Sequence, residues 1–104
     1  MVKKNSRYRG GYFGKALIKL MEARGVSLTD LEKETGIRGV YISRLRNDHV
    51  IPRGKMRELI AKALEVSEAQ MLIVEAIERE PERYKNEYAR DFLGHELYDR
   101  LYRS

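Results

Sequence analysis

The chain has 104 residues, a net charge of +5 and a hydrophobic fraction of 42%, which predicts one small domain with a single core. It has no cysteine, which excludes a disulfide framework and cysteine-ligated metal sites. No apolar run approaches the roughly 18 residues that a membrane-spanning helix needs. Two prolines, eight glycines and few β-branched runs favour an all-α fold.

Charge is segregated along the chain. Residues 1–15 carry five basic side chains and no acid, and residues 36–57 carry six basic side chains and one acid. Residues 58–80 carry two basic and six acidic side chains, and residues 81–104 balance five of each. Solubilising charge would mix both signs throughout, whereas clustered cations are typical of a protein that binds a polyanion.

The first 11 residues show no apolar periodicity, and we interpret them as a mobile basic arm. Its cationic side chains are Lys3, Lys4, Arg7 and Arg9. From Tyr12 to Ala23, apolar residues recur at the 3.6-residue spacing of an amphipathic helix, which Gly25 closes.

Residues 26–47 contain two short amphipathic patterns separated by Gly36. Ser27 is the predicted N-cap of the first helix, and Gly36 permits the positive φ of a tight turn. The second pattern, over residues 38–47, buries Ile42 and Leu45 and turns its arginines outward. This layout is typical of a DNA-binding helix-turn-helix. The alternative is an ordinary helical hairpin with solubilising arginines.

Two further helices are predicted before residue 81. Pro52 precedes a fourth helix over about 53–64, and Ser67 with Gln70 forms a capping box for a fifth helix, which Pro81 ends. The fifth helix is apolar almost all round, so we expect it to be central or covered by another element.

Residues 81–104 carry regular apolar ridges that a disordered tail would lack. This helical segment, which Gly94 interrupts, packs either on its own domain's fifth helix or on the equivalent helix of a second subunit. Because helix-turn-helix proteins commonly read two half-sites as dimers, we favour a dimer interface. The residues predicted to form it are Tyr84, Tyr88, Phe92, Leu97, Tyr98 and Leu101.

Three ungapped segments have a familiar arrangement: GVSLTDLEKETGI at 25–37, YISRL at 41–45 and IAKALEVS at 60–67. With their spacing, residues 14–77 resemble the five-helix DNA-binding domain of the Xre family, the fold of phage Cro and repressor proteins. The resemblance implies an all-α, five-helix helix-turn-helix domain over residues 12–80. The basic arm of residues 1–11 precedes it, and an additional amphipathic helical segment over residues 81–104 follows it.

The resemblance also implies that the helix starting near Arg38 lies in a DNA major groove. The residues it places against base edges are Gly39, Val40, Ser43 and Arg44. Those it places against phosphates are Thr29, Arg38, Tyr41, Asn47, Arg53 and Lys55. Arginine can donate to guanine O6 and N7, and valine can contact a thymine methyl, whereas helix N-termini attract phosphates.

Four residues depart from the family pattern. Arg38 stands where Ser or Thr is usual, so the N-cap of the recognition helix is lost, and Gly39 contributes little direct readout. Glu32 replaces an alanine that packs between the two helices of residues 26–47. We expect it either to loosen the packing of these helices or to form an ion pair with an arginine of the helix that starts near Arg38. Arg57 replaces a buried leucine, which predicts a rotated fourth helix.

We therefore predict a sequence-specific, double-stranded DNA-binding transcriptional regulator, acting as a homodimeric repressor on a palindromic operator in the cytoplasm, associated with the nucleoid. One alternative is an antitoxin or antagonist-regulated module that binds a protein partner through its C-terminal aromatic helix. Another is a weakly specific architectural DNA-binding protein. We predict no enzyme, metal, cofactor or membrane partner, because His49 and His95 are isolated and no nucleophile or phosphate-binding motif occurs.

Overall fold

The computed structural model describes residues 11–103, and every regular element within that range is an α-helix. The helices of this range are α1 Phe13–Arg24, α2 Leu28–Thr35, α3 Gly39–Arg46, α4 Gly54–Ala63, α5 Glu68–Arg79, α6 Pro81–Tyr84, α7 Glu87–Leu93 and α8 His95–Tyr102. The prediction of an all-α fold is confirmed, and each helix predicted before Pro81 matches one of α1 to α5.

Serine capping boxes start α2 and α5. The Ser27 hydroxyl accepts a hydrogen bond from the Asp30 N–H at 3.0 Å, and the Asp30 carboxylate accepts one from the Ser27 N–H at 3.0 Å. The bond from the Ser27 N–H is the main reason that the pKa of Asp30 lies below its usual value. Ser67 and Gln70 make the equivalent pair at the start of α5. Local contacts of this kind fix where both helices begin.

The core is organised around α1. This helix packs against α3, α5 and α8, while α2 packs against α3 and α4, and α4 against α5. The largest side chains with no appreciable exposure are Leu17, Leu20, Leu31, Ile42, Leu45, Ile60, Leu64, Met71, Val74 and Ile77. Both α3 residues in this set, Ile42 and Leu45, were predicted to face inward, and they anchor α3 to α1 and α2.

The C-terminal segment is three short helices rather than one interrupted helix. The Asn86 side chain accepts a hydrogen bond from the Ala89 N–H at 3.0 Å and so starts α7 independently of α6. Gly94 has a φ of 94° and separates α7 from α8. Because Asn is a strong N-cap and glycine adopts positive φ at low cost, these two residues explain both breaks.

Three of the residues predicted to form a dimer interface lie in the core of their own chain. Leu97, Tyr98 and Leu101 are 5%, 7% and 7% exposed, because α8 packs against α1. The Tyr102 hydroxyl donates to Glu78 of α5 at 3.1 Å, which ties the end of α8 to the same body. Burial and the neighbouring Glu78 carboxylate raise the pKa of Tyr102 far above its usual value. The assignment of these three residues to an interface between subunits is therefore corrected.

The other three predicted interface residues differ from these. Tyr84 is partly buried, whereas Tyr88 is 85% exposed and Phe92 is 49% exposed. The predicted interface residues thus have different environments, since Leu97 and Leu101 of α8 pack inward, whereas Tyr88 and Phe92 of α7 face solvent.

Candidate nucleic-acid interface

The four predicted base-contacting residues lie together on α3. Val40 is 68% exposed and Arg44 is exposed, while Gly39 and Ser43 are partly exposed. Positions four residues apart share a face of a helix, so Val40 aligns with Arg44 and Gly39 aligns with Ser43. Ile42 and Leu45 occupy the opposite, fully buried side. The helix therefore presents a small, partly cationic face outside the core.

The N-terminus of α3 has no side-chain cap. Arg38 occupies the N-cap position with φ −65° and ψ 141°, and its side chain makes no capping hydrogen bond. The Arg38 carbonyl accepts from the N–H groups of Tyr41 and Ile42 at 3.0 and 3.1 Å, which are the first backbone hydrogen bonds of the helix. The loss of the side-chain cap, predicted from Arg38, is confirmed, and the remaining first-turn N–H groups point out of the helix end.

The predicted phosphate contacts fall at helix ends and in the loop after α3. Thr29 is exposed in the first turn of α2, and Asn47 is exposed at the end of α3. Tyr41 and Arg53 line one open surface depression of about 360 Å³ together with Val50 and Ile51. Arg53 is the N-cap residue of α4 and makes no side-chain cap, and Lys55 is exposed two residues later.

The C-terminal end of α3 is docked on the start of α1. The Gly14 N–H donates to the Asp48 carboxylate at 2.8 Å, and a Cβ added at Gly14 would lie 2.4 Å from the Arg46 carbonyl oxygen and 2.7 Å from that of Leu45. Burial raises the pKa of Asp48, although the bond from Gly14 opposes the shift. Glycine is required here because the two backbones touch.

The described range begins beside this contact. Gly11 and Tyr12 immediately precede α1, whose first turn lies against the end of α3. The predicted cationic residues of the arm, Lys3, Lys4, Arg7 and Arg9, lie outside the described residues.

A family comparison agrees with this geometry. A helix-turn-helix family model matches residues 17–71, slightly more than half of the chain. The chain belongs to the helix-turn-helix family. The match is of the Xre type, which confirms the resemblance read from the sequence and makes the protein a DNA-binding regulator of that type. No curated protein and no solved structure matches the chain.

The part of the chain that the structure describes contains neither a membrane-spanning helix nor a cluster of metal-binding side chains. Along residues 11–103, no helix combines the length and the hydrophobicity that crossing a membrane demands. Over the same range, no three His, Cys, Asp or Glu side chains gather in a group that could hold a metal ion.

The charge of Arg57 is compensated within the fold of this helix-turn-helix protein. Its guanidinium lies 5.0 Å from the centre of the Phe13 ring and forms an ion pair with Glu75 of α5. Both charged side chains are largely buried, at 17% and 16% exposure. Arg57 therefore fills the position of the family's leucine by stacking on Phe13 and pairing with Glu75. Its charge was counted in the basic region of the sequence, but Glu75 neutralises it.

Glu32 and Gly39 are coupled. A Cβ added at Gly39 would lie 3.1 Å from Glu32 Oε1, so the large residue on α2 is accommodated by the missing side chain on α3. The bridge expected between Glu32 and an arginine of α3 is absent from the ion pairs formed within residues 11–103. Both residues depart from the family pattern in the sequence, but only the structure shows that they lie next to each other.

Proposed function

We propose that this helix-turn-helix protein is a sequence-specific regulator of transcription that binds double-stranded DNA as a homodimer and represses a palindromic operator. The observation that carries the proposal is the outward face of α3, where Val40 and Arg44 are exposed on a helix anchored by Ile42 and Leu45. A rigid helix with a short exposed face matches the width of a major groove.

Each group on this face has a chemical partner on DNA. Arg44 can donate two hydrogen bonds to guanine O6 and N7, and Val40 can contact a thymine methyl. Arg38, Arg53 and Lys55 are exposed cations at the starts of α3 and α4, where helix N-termini already favour phosphate. Phosphate contacts position the protein, and the α3 face reads the sequence.

We expect Arg44→Ala to weaken binding to the preferred duplex by on the order of 1–3 kcal/mol and to relax preference at one base pair. The experiment first selects duplexes from a random pool at stated salt and then titrates single-base variants of the preferred site. Lys62→Ala is the control, because it removes one exposed cation from the far end of α4. A uniform loss on every duplex would make Arg44 a phosphate contact, and a wild type that selects no sequence would favour the architectural alternative.

A second copy of the chain is the partner that we propose for the aromatic face of α7. An open depression of about 340 Å³ is lined by Asn86 and by five apolar or aromatic residues, which we call the Tyr88 patch: Ile73, Tyr84, Tyr88, Ala89 and Phe92. Exposed apolar patches of this kind mark interaction surfaces. A two-fold dimer would cover the patch with its own copy and place two α3 helices one DNA turn apart, about 34 Å.

We expect the double variant Tyr88→Ser, Phe92→Ser to be monomeric at micromolar concentration, where the wild type is a dimer by light scattering. The monomer should remain helical by circular dichroism, because Tyr88 is 85% exposed and Phe92 is 49% exposed in the single chain. Its thermal midpoint should fall only by the stability that association adds to the dimer. Ile51→Ser is the matched control, since it removes an exposed apolar side chain (51% exposed) from the loop before α4. If the wild type is a monomer, the dimer proposal is wrong. The Tyr88 patch would then favour the alternative of binding a protein antagonist or toxin.

A further inference from the structure

We propose that Glu32 of α2 is a specificity-determining residue that reads cytosine, taking the place of the side chain that Gly39 lacks at the start of α3. The inference rests on the proposed function, since it requires α3 to lie in a major groove. It adds a base-reading residue on α2 to those expected on α3.

The geometry places the Glu32 carboxylate beside the recognition face. The position of a Cβ on Gly39 is 3.1 Å from Glu32 Oε1, 3.6 Å from Cδ and 3.9 Å from Oε2. Gly39 is the first residue of α3 and lies one turn before Ser43 on the same side of the helix. The carboxylate therefore occupies the space into which a side chain at position 39 would extend.

If Glu32 contacted no base, its negative charge would weaken the binding of this surface to DNA. Glu32 is exposed, and its carboxylate forms no ion pair with another residue in the 11–103 range. In the free protein the uncapped N-terminus of α3 stabilises a nearby negative charge. On DNA, however, a carboxylate repels phosphates, and a hydrogen bond that it accepts from a base offsets this cost.

Cytosine is the base that supplies such a hydrogen bond. In the major groove its N4 amino group is a donor, and Glu or Asp is the side chain that accepts from it. Guanine presents only acceptors at that edge, so it would face the carboxylate with like partial charge. Glu32 thus favours cytosine and disfavours guanine at the same position.

The test is Glu32→Gln, which keeps the shape of the side chain and removes its charge. We expect the preference for cytosine at one base pair to fall about tenfold or to shift towards adenine, whose N6 and N7 suit glutamine. Affinity for random duplexes at low salt should rise about fivefold, because one repulsion from phosphates is lost, and the rise should shrink as salt increases.

Glu34→Gln is the matched control. Glu34 is also exposed on α2, two residues along and on another side of the helix, so the same charge is lost without a change beside Gly39. The control should select the same sequences as the wild type. Gly39→Ala tests the same contact independently, since its methyl group would lie 3.1 Å from Glu32 Oε1 and would shift the carboxylate by a few tenths of an ångström, which should weaken the cytosine preference in the same direction.

The outcomes separate the inference from the proposed function. If the wild type selects a sequence and Glu32→Gln selects the same one at every position, the inference is wrong and the proposed function stands. A variant that lowers the thermal midpoint and weakens all duplexes equally would also overturn it, because Glu32 would then only position α3. If the wild type binds no duplex, the proposed function itself fails.

Discussion

A chain shortened to end at Glu80 should unfold, or melt at a far lower temperature, rather than survive as a monomeric domain. The shortening removes Leu93, Leu97, Tyr98 and Leu101, each less than 8% exposed. Burying a side chain of this size stabilises a protein by about 1.5–3 kcal/mol, so the loss is on the order of the whole stability of a small domain. It also uncovers α1, against which α8 packs.

Polar contacts would be lost with the same segment. Arg100 Nη1 donates to the Ala23 carbonyl at 3.2 Å, and Lys19 Nζ donates to the Leu101 carbonyl at 3.5 Å. Each bond satisfies a carbonyl near the C-terminal end of a helix, of α1 and of α8 respectively. Circular dichroism during heating measures the effect. Retention of the full-length midpoint by the shortened chain would show that α6 to α8 are peripheral.

The second large effect should come from Gly14→Ala. The new methyl group would lie 2.4 Å from the Arg46 carbonyl oxygen, 2.6 Å from Asp48 Oδ2 and 2.7 Å from the Leu45 carbonyl oxygen. Two of these atoms belong to backbone, so the start of α1 and the end of α3 must separate. Overpacking costs about 1–3 kcal/mol, and loss of the bond from Gly14 to Asp48 adds about 1 kcal/mol.

For a domain of this size that cost lowers the thermal midpoint by on the order of 10 °C or more. DNA affinity should fall as well, because α3 is no longer held in its position against α1. Gly54→Ala is the control, since a Cβ there meets no atom within 4 Å, and its midpoint should be equal or slightly higher. A normal midpoint and normal affinity for Gly14→Ala would mean that this contact does not position α3.

The parts of the fold that follow from local chemistry were predictable. Ser27 and Ser67 begin their helices through bonds to residues three positions away, and Gly36 ends α2 with a φ of 76°. The inward positions of α3 follow from helical periodicity alone. Signals of this type act within one turn of helix, so a single sequence contains them in full.

The features that sequence reasoning missed depend on distant partners. The apolar stripe of residues 97–101 indicated burial but not against which surface, because a second subunit and α1 offer the same chemistry. Gly14 gave no signal of its contact with Asp48, which is 34 positions away. Arg57 was counted in the basic charge of residues 36–57, since its pairing with Glu75 arises only when α4 and α5 pack. At the candidate site, the sequence shows which residue types are present but not which side chains interact with one another.

The central position of α1 has a consequence for how the protein is made. Its carbonyls and side chains bind residues 77 to 82 positions later in the chain, so the core closes only after residues 97–101 have been synthesised. Closing so long a loop is entropically costly and slows folding. During translation α2 and α3 therefore emerge from the ribosome before α1 receives its last packing partner, and the body that holds α3 is completed only once residues 97–101 have emerged as well.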